Sequence, residues 1–130
     1  MGCDIHPYLE YRKPGFPLWW GWQVGIDRNY DLFRAMGLEQ RGSPEIKPVV
    51  SIRGLPLDLS YECEQGWERW KADAHNPSWL TFLEFNAALR ASHPSHSKQT
   101  ASVTAKIIAI AMFEFVSQGY EVRLVFWWDN

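Results

Sequence analysis

Hydrophobic and polar residues alternate near both ends of the chain, with the period of two that is typical of a half-buried strand. In residues 3–12 one face carries Cys3, Ile5, Pro7, Leu9 and Tyr11, and the other carries Asp4, His6, Tyr8, Glu10 and Arg12. In residues 120–129 the corresponding sets are Tyr120, Val122, Leu124, Phe126 and Trp128 against Glu121, Arg123, Val125, Trp127 and Asp129. These stretches predict two amphipathic strands.

Two longer stretches between these strands carry helical signals. Residues 77–91 follow a candidate N-cap, Asn76, and Pro77 would stand at the first helical position, where it is tolerated. Residues 101–118 form the longest apolar stretch, and Gly119 is a left-handed stop. The sequence therefore predicts helices over 77–91 and 101–118.

Shorter elements are predicted from turn and cap residues. Asn29 or Asp31 can cap a short helix that carries Leu32 and Phe33 and stops at Gly37. The remaining segments are a candidate lid at 13–21, a short strand at 49–52, a helix or turn-rich connector at 59–73 and a polar loop at 91–100 with His93 and His96. With no internal repeats, the simplest architecture is a single α+β domain, 1–130: a small, mostly antiparallel sheet that includes the N- and C-terminal strands, with two longer helices packed on one face.

Composition narrows the classes of partner. A formal net charge of −2 and a pI near 6.1 argue against duplex nucleic acid, which requires many Lys and Arg contacts to phosphates. The apolar stretches are too short to span a bilayer, and the two cysteines favour a reducing cytosol over a disulfide scaffold. Eight Trp residues supply either core or stacking surfaces for a planar ligand.

The polar faces of the two terminal strands would combine if both strands lie in one sheet. A solvated face is the simplest interpretation, because antiparallel sheets often leave one face in water. The mixture of acids, imidazole, arginine and aromatic rings also fits a ligand site.

A metal site is one alternative. Asp4 and His6 share one face of a strand, and Asp73 and His75 repeat that spacing. Together these two pairs would supply four ligands for zinc, manganese or iron. A divalent cation held there would activate water for a phosphodiesterase reaction, with Glu10 as base.

An anionic small molecule is the other alternative, and the one we favour, with no metal or other cofactor. Arginine side chains can bind phosphate oxygens in a forked geometry, the predicted start of the 77–91 helix offers free N–H groups, and aromatic rings can stack on a base. The predicted ligand-binding residues are Asp4, His6, Tyr8, Glu10, Arg12, Arg28, Asn29, Tyr30, Arg53, His75, Ser78, Trp79, Arg123 and Trp127.

Several of these residues lie in stretches that resemble a known family. GCDIH at the start, RNYDLF at 28–33, RGLP at 53–56, DAHNPSWLT at 73–81 and FWWDN at the end resemble an uncharacterised family of small phage and prophage proteins. The chain has Asn76 where Ser is usual in that family. The resemblance implies a phage context, in which small proteins often counter nucleotide-based host defence.

The predicted function is therefore anti-defence: sequestration of a nucleotide-derived immune signal, such as a cyclic nucleotide, in the cytoplasm of an infected bacterial host. A metal-dependent hydrolase that degrades such a nucleotide is the first alternative. A protein-binding inhibitor that uses the loop from Trp19 to Trp22 as a hydrophobic anchor is the second. The oligomeric state is left open, with a homo-oligomer as one option.

Overall fold

The computed structural model describes residues 2–92 and 102–129, which contain a four-stranded antiparallel sheet and four helices. The strands are β1 (Ile5–Arg12), β2 (Trp20–Gln23), β3 (His75–Thr81) and β4 (Glu121–Trp128), in the order β2-β1-β4-β3. The helices are α1 (Tyr30–Ala35), α2 (Tyr61–Trp70), α3 (Phe82–Ala91) and α4 (Val103–Ser117). The predicted α+β class and the two terminal strands are confirmed.

His93, His96 and most of the predicted polar loop lie outside the described residues. Across the two described ranges, every helix is too short or too polar to cross a membrane.

The two central strands come from opposite ends of the chain and pair along their whole length. Ile5 lies opposite Trp128 at one end of the register, and Arg12 lies opposite Glu121 at the other. The face that carries Ile5, Leu9 and Leu124 packs with α1, α3 and α4 into the main core. The longer predicted helices therefore lie on one face of the sheet, as expected.

The opposite face of the sheet is covered by α2, which begins after the N-cap Ser60. Tyr8, Cys63 and Trp127 form a second, smaller core there, with Trp67, Trp70 and Trp79 packed at its margin. A Cβ on Gly66 would lie only 2.2 Å from the hydroxyl oxygen of Tyr8, so glycine permits the close approach of helix and strand. The region 59–73 is thus helical, and its glycine is a packing residue.

The predicted helix over 77–91 is wrong in its first turns. Residues 75–81 are instead strand β3, because they pair with β4 and bury Ser78 and Leu80. Asn76 has a positive φ of 54°, at an irregularity in the pairing, and does not cap a helix. The true N-cap is Thr81, which forms a capping box with Glu84.

Of the other local predictions, two are confirmed and two are wrong. Asn29 is the N-cap of α1, as one of the two options predicted, and its side chain accepts from the Leu32 amide. Gly119 follows α4 with a φ of 84°, as a left-handed stop requires. The predicted strand at 49–52 is wrong because that segment is irregular, and the predicted loop at 13–21 ends early because Trp20 begins β2.

Candidate functional site

Asp129 joins three segments at the end of the sheet where β1 begins and β4 ends. Its carboxylate Oδ2 lies 2.7 Å from Nε2 of His6, and its Oδ1 accepts from the Asp4 amide at 3.2 Å. The backbone oxygen of Asp129 lies 3.3 Å from Nε2 of His75. Because β4 lies between β1 and β3, the two imidazoles approach Asp129 from either side. We call this arrangement the Asp129 junction.

The His6 and Asp129 side chains form the inner part of the junction. Both are mostly buried, with 16% and 21% of the side-chain surface exposed. The imidazole ring of His6 lies 3.9 Å from the ring of Trp70, centroid to centroid. A carboxylate orients an imidazole in this way in proton-transfer sites and in structural hydrogen-bond networks alike, so the pair alone does not define a reaction.

The outer part of the junction holds the start of the chain in place. Arg28 donates to both carboxylate oxygens of Asp4, at 2.9 and 3.0 Å, and this pairing holds the pKa of the Asp4 carboxyl below its ordinary value. Tyr30 accepts from the Cys3 amide at 3.3 Å. The predicted residues Asp4, Arg28 and Tyr30 are therefore brought together, while Asn29 is occupied as a helix cap.

A cleft of about 430 Å³ opens beside the junction. Its polar lining consists of Gln40, Arg41, Asp73 and His75, and its apolar lining consists of Cys3, Leu38, Ala72 and Ala74. Clefts of this size suit a small molecule, and an apolar floor with a few convergent polar groups is the usual composition of such sites. Burial raises the pKa of the Cys3 thiol. Because the thiolate is the reactive form, we expect this side chain to line the cleft as a neutral thiol and not to act as a nucleophile.

The middle of the predicted polar face is closed. Glu10 is completely buried, with Oε1 accepting from Nε of Arg123 at 2.6 Å and Oε2 accepting from the Ser60 amide at 2.6 Å. Tyr8 and Trp127 lie in the core under α2. The faces of the two strands do combine as predicted, but α2 and the segment before it cover them.

The indole ring of Trp19 packs against the guanidinium groups of Arg12 and Arg123, next to the ion pair of Glu10 and Arg123. The guanidinium carbons of Arg12 and Arg123 lie 4.3 and 4.0 Å from the centroid of Trp19, whose indole N–H donates to Asp58 at 3.0 Å. Arg123 also donates to Asp58 at 3.0 Å, and Arg12 to Glu121 at 2.6 Å. These contacts fasten the predicted lid to the sheet, and both arginines already have carboxylate partners.

Arg53 and the residues around β3 form a third polar cluster. The guanidinium of Arg53 donates to both carboxylate oxygens of Glu84, and its central carbon lies 4.3 Å from the centroid of the Trp79 ring. The backbone amide of Arg53 donates to the hydroxyl oxygen of Ser78. The Arg53 contact lowers the pKa of the Glu84 carboxyl. Because α3 begins at residue 82 and its capping box engages Thr81 and Glu84, the anion site predicted at the start of a 77–91 helix does not form.

Two of the four side chains of the alternative metal site have other partners. The Asp4 carboxylate binds Arg28, and the His6 imidazole binds Asp129. Within residues 2–92 and 102–129 there is no group of three or more His, Cys, Asp or Glu side chains arranged to hold a metal ion. Asp73 and His75 instead line the cleft.

Sequence reasoning missed Arg41, Gln40 and Leu38 as lining residues, because the segment that carries them is irregular and contains no motif. The alternating pattern places Asp129 on the polar face with Arg123 and Trp127, but Asp129 is not among the predicted ligand-binding residues. Comparisons of the chain with protein-family models, with curated proteins and with solved structures find no match.

Proposed function

We propose that this protein binds a small anionic molecule of the nucleotide class in the cleft beside the Asp129 junction and sequesters it. The observation that carries the proposal is the composition of that cleft. It combines a guanidinium, an imidazole, a carboxylate and an amide with four apolar lining residues. Nucleotides present complementary groups: phosphate oxygens, sugar hydroxyls and the polar edge of a base.

Arg41 and His75 are the proposed phosphate contacts. A guanidinium offers paired N–H donors that match phosphate oxygens, and an imidazole adds a further donor. Asp73 and Gln40 also line the cleft, and in this proposal they accept from hydroxyl or amino groups of the ligand. This differs from the sequence expectation, in which the phosphates were assigned to Arg12, Arg28, Arg53 and Arg123. None of those four lines the cleft, and each pairs with a carboxylate elsewhere.

The biological role follows from the resemblance described above. Segments that carry it meet at the junction: GCDIH supplies His6, RNYDLF supplies Tyr30, DAHNPSWLT supplies His75 and FWWDN supplies Asp129. In the phage context that this resemblance implies, the proposed ligand is a nucleotide-derived host immune signal, and binding without cleavage withdraws it from its receptor. The proposed binding mode includes no metal or other cofactor.

The test is a depletion and release experiment. Purified protein is incubated with cyclic and ADP-ribose-type nucleotides, separated from unbound nucleotide, heat-denatured, and the supernatant is analysed by chromatography with mass detection. Sequestration predicts a nucleotide that is depleted before heating and recovered intact afterwards. Recovery of fragments would show an enzyme instead, and a panel that is neither depleted nor altered would contradict the proposal.

Two arginine variants locate the site. Arg41→Gln should lower affinity at least about tenfold, because a charge-assisted phosphate contact is lost. Arg53→Gln is the matched control, since Arg53 pairs with Glu84 and does not line the cleft. Its affinity should be unchanged. Loss of binding in Arg53→Gln with full binding in Arg41→Gln would move the site away from the cleft.

A second candidate function, a protein-binding inhibitor, is favoured by a separate observation. Phe16, Leu18, Trp20 and Trp22 all expose more than half of their surface around β2, an edge strand. Exposed aromatic side chains beside an open strand edge are typical anchors for a protein partner. Retention of a host protein by the native chain, lost with Trp20→Ala and kept with Leu57→Ala, would support this function. Leu57 is the control because it is fully exposed elsewhere.

A further inference from the structure

Helix α4 is apolar on its outer side as well as on the side that packs against the sheet. Val103, Ile107, Ile110 and Phe113 expose 63%, 59%, 68% and 57% of their surface, at spacings of four and three residues. We call this surface, formed by Val103, Ile107, Ile110 and Phe113, the α4 face. A helix that is apolar all round is typically buried. The α4 face is therefore expected to be covered.

We propose that a second copy of this chain covers the α4 face, with the two α4 helices packed antiparallel about a two-fold axis at Ile110. A two-fold interface uses the same surface on both copies, so that surface must be complementary to itself. The charges on α4 meet this requirement. Lys106 and Glu114, both exposed, stand four residues before and four residues after Ile110.

The spacing of these three residues specifies a packing geometry. Residues four apart form a ridge along a helix, and packing such ridges into the grooves beside the same ridges of a second helix gives a crossing angle of about 50°, the commonest class. At that angle the ridge Lys106, Ile110, Glu114 runs along the same ridge of the second copy in the opposite direction. Each Lys106 then lies opposite the second copy's Glu114, and Ile110 lies opposite itself. Ile107 and Phe113 flank the ridge on its two sides and complete the apolar contact.

The α4 face presents four large apolar side chains, each more than half exposed, on one side of a single helix. Contiguous exposed apolar patches of this kind typically mark protein interaction sites. The proposed ligand cleft has no lining residue from α3 or α4. Dimerisation and ligand binding are therefore separable, and the failure of one does not decide the other.

The first experiment measures the mass of the native protein by sedimentation equilibrium over a range of micromolar concentrations. We expect a dimer. Ile110→Glu should give a monomer with an unchanged circular dichroism spectrum, while Leu57→Glu, which places the same charge at an exposed residue outside the α4 face, should remain dimeric. A native chain that is monomeric throughout, or an Ile110→Glu variant that stays dimeric, would overturn the proposal.

Charge reversal tests the antiparallel register. Lys106→Glu places two carboxylates opposite each other at both ends of the ridge and should raise the dimer dissociation constant by roughly tenfold or more. The double variant Lys106→Glu with Glu114→Lys restores opposite charges and should return the constant to near the native value. Equal weakening in the single and double variants would refute this register.

A cysteine at the axis provides an independent test. Helices in contact bring facing residues within disulfide distance, so Ile110→Cys should form a covalent dimer under mild oxidation. The native thiols of Cys3 and Cys63 are buried and should not compete. Leu57→Cys is the control and should form no such dimer at the same concentration. Equal cross-linking in both variants would contradict a two-fold axis at residue 110.

Discussion

Replacing Glu10 with Gln tests whether the closed middle of the sheet depends on a buried charge. Both carboxylate oxygens of Glu10 accept short hydrogen bonds, one from Arg123 and one from the Ser60 amide. Glutamine keeps the shape but has one carbonyl oxygen for two donors, and it carries no charge to balance the guanidinium. Asp58, which is about half exposed, would be the remaining carboxylate of Arg123.

The expected loss is large because neither partner is well solvated. Glu10 has no exposed surface and Arg123 is 9% exposed. Removing one member of a buried ion pair typically costs 3–5 kcal/mol, and the retained Asp58 contact places the expected loss in the free energy of unfolding at about 3 kcal/mol. Urea denaturation followed by tryptophan fluorescence measures this loss directly as a lower transition midpoint, with the slope unchanged.

A matched variant provides the control. Asp4→Asn removes the charge from another bidentate pair with arginine, in this case Arg28, but both side chains are about half exposed. Exposed pairs contribute about 0–1 kcal/mol, so this variant should be close to native stability. A loss below about 1 kcal/mol for Glu10→Gln, or equal losses for the two variants, would refute the view that burial gives the Glu10 pair its importance.

Three further predictions concern the same structure. Gly66→Ala should lower the free energy of unfolding by about 1–3 kcal/mol although alanine favours helix, because its Cβ would clash with Tyr8; a more stable variant in urea melts would contradict the packing. The pKa of Glu84 is lowered in the folded state by Arg53, so its contribution is complete above the ordinary carboxyl pKa and is lost as pH falls through the folded value. Acid titration of Glu84→Gln should therefore show a shallower loss of stability below about pH 4.5 than the native chain, and identical curves would argue against the linkage. Burial raises the pKa of Cys63 strongly, so its thiol should react with a disulfide reagent only after denaturation, and rapid reaction in the folded protein would be inconsistent with this packing.

The elements that the sequence predicts well are those whose local pattern agrees with their tertiary role. The terminal strands alternate because one face of each packs on the main core, and α4 is identified by its length and by Gly119. Strand β3 was mistaken for a helix start because Asn76 and Pro77 imitate cap chemistry, while pairing with β4 decides the conformation. The capping box of Thr81 and Glu84 was the correct signal for the start of α3.

The candidate site was predictable only in part, for a similar reason. The alternation of polar residues places Asp4 and His6 at one end of the sheet, but it does not indicate that α2 covers the middle of that face. Val125 and Trp127, apolar residues on the nominally polar face, are the sequence signal for such a cover. Arg41 enters the cleft through tertiary packing of an irregular segment, which no periodicity describes.

The pairing of β1 with β4 has a consequence for the order of folding. These two central strands are separated by more than a hundred residues, so closing the loop between them carries a large entropic cost and places the chain among topologies that fold slowly. During synthesis, β1 and β2 can pair early as a local hairpin. The inner edge of β1 has no partner until residues 121–128 leave the ribosome, which exposes an apolar strand edge for almost the whole time of translation.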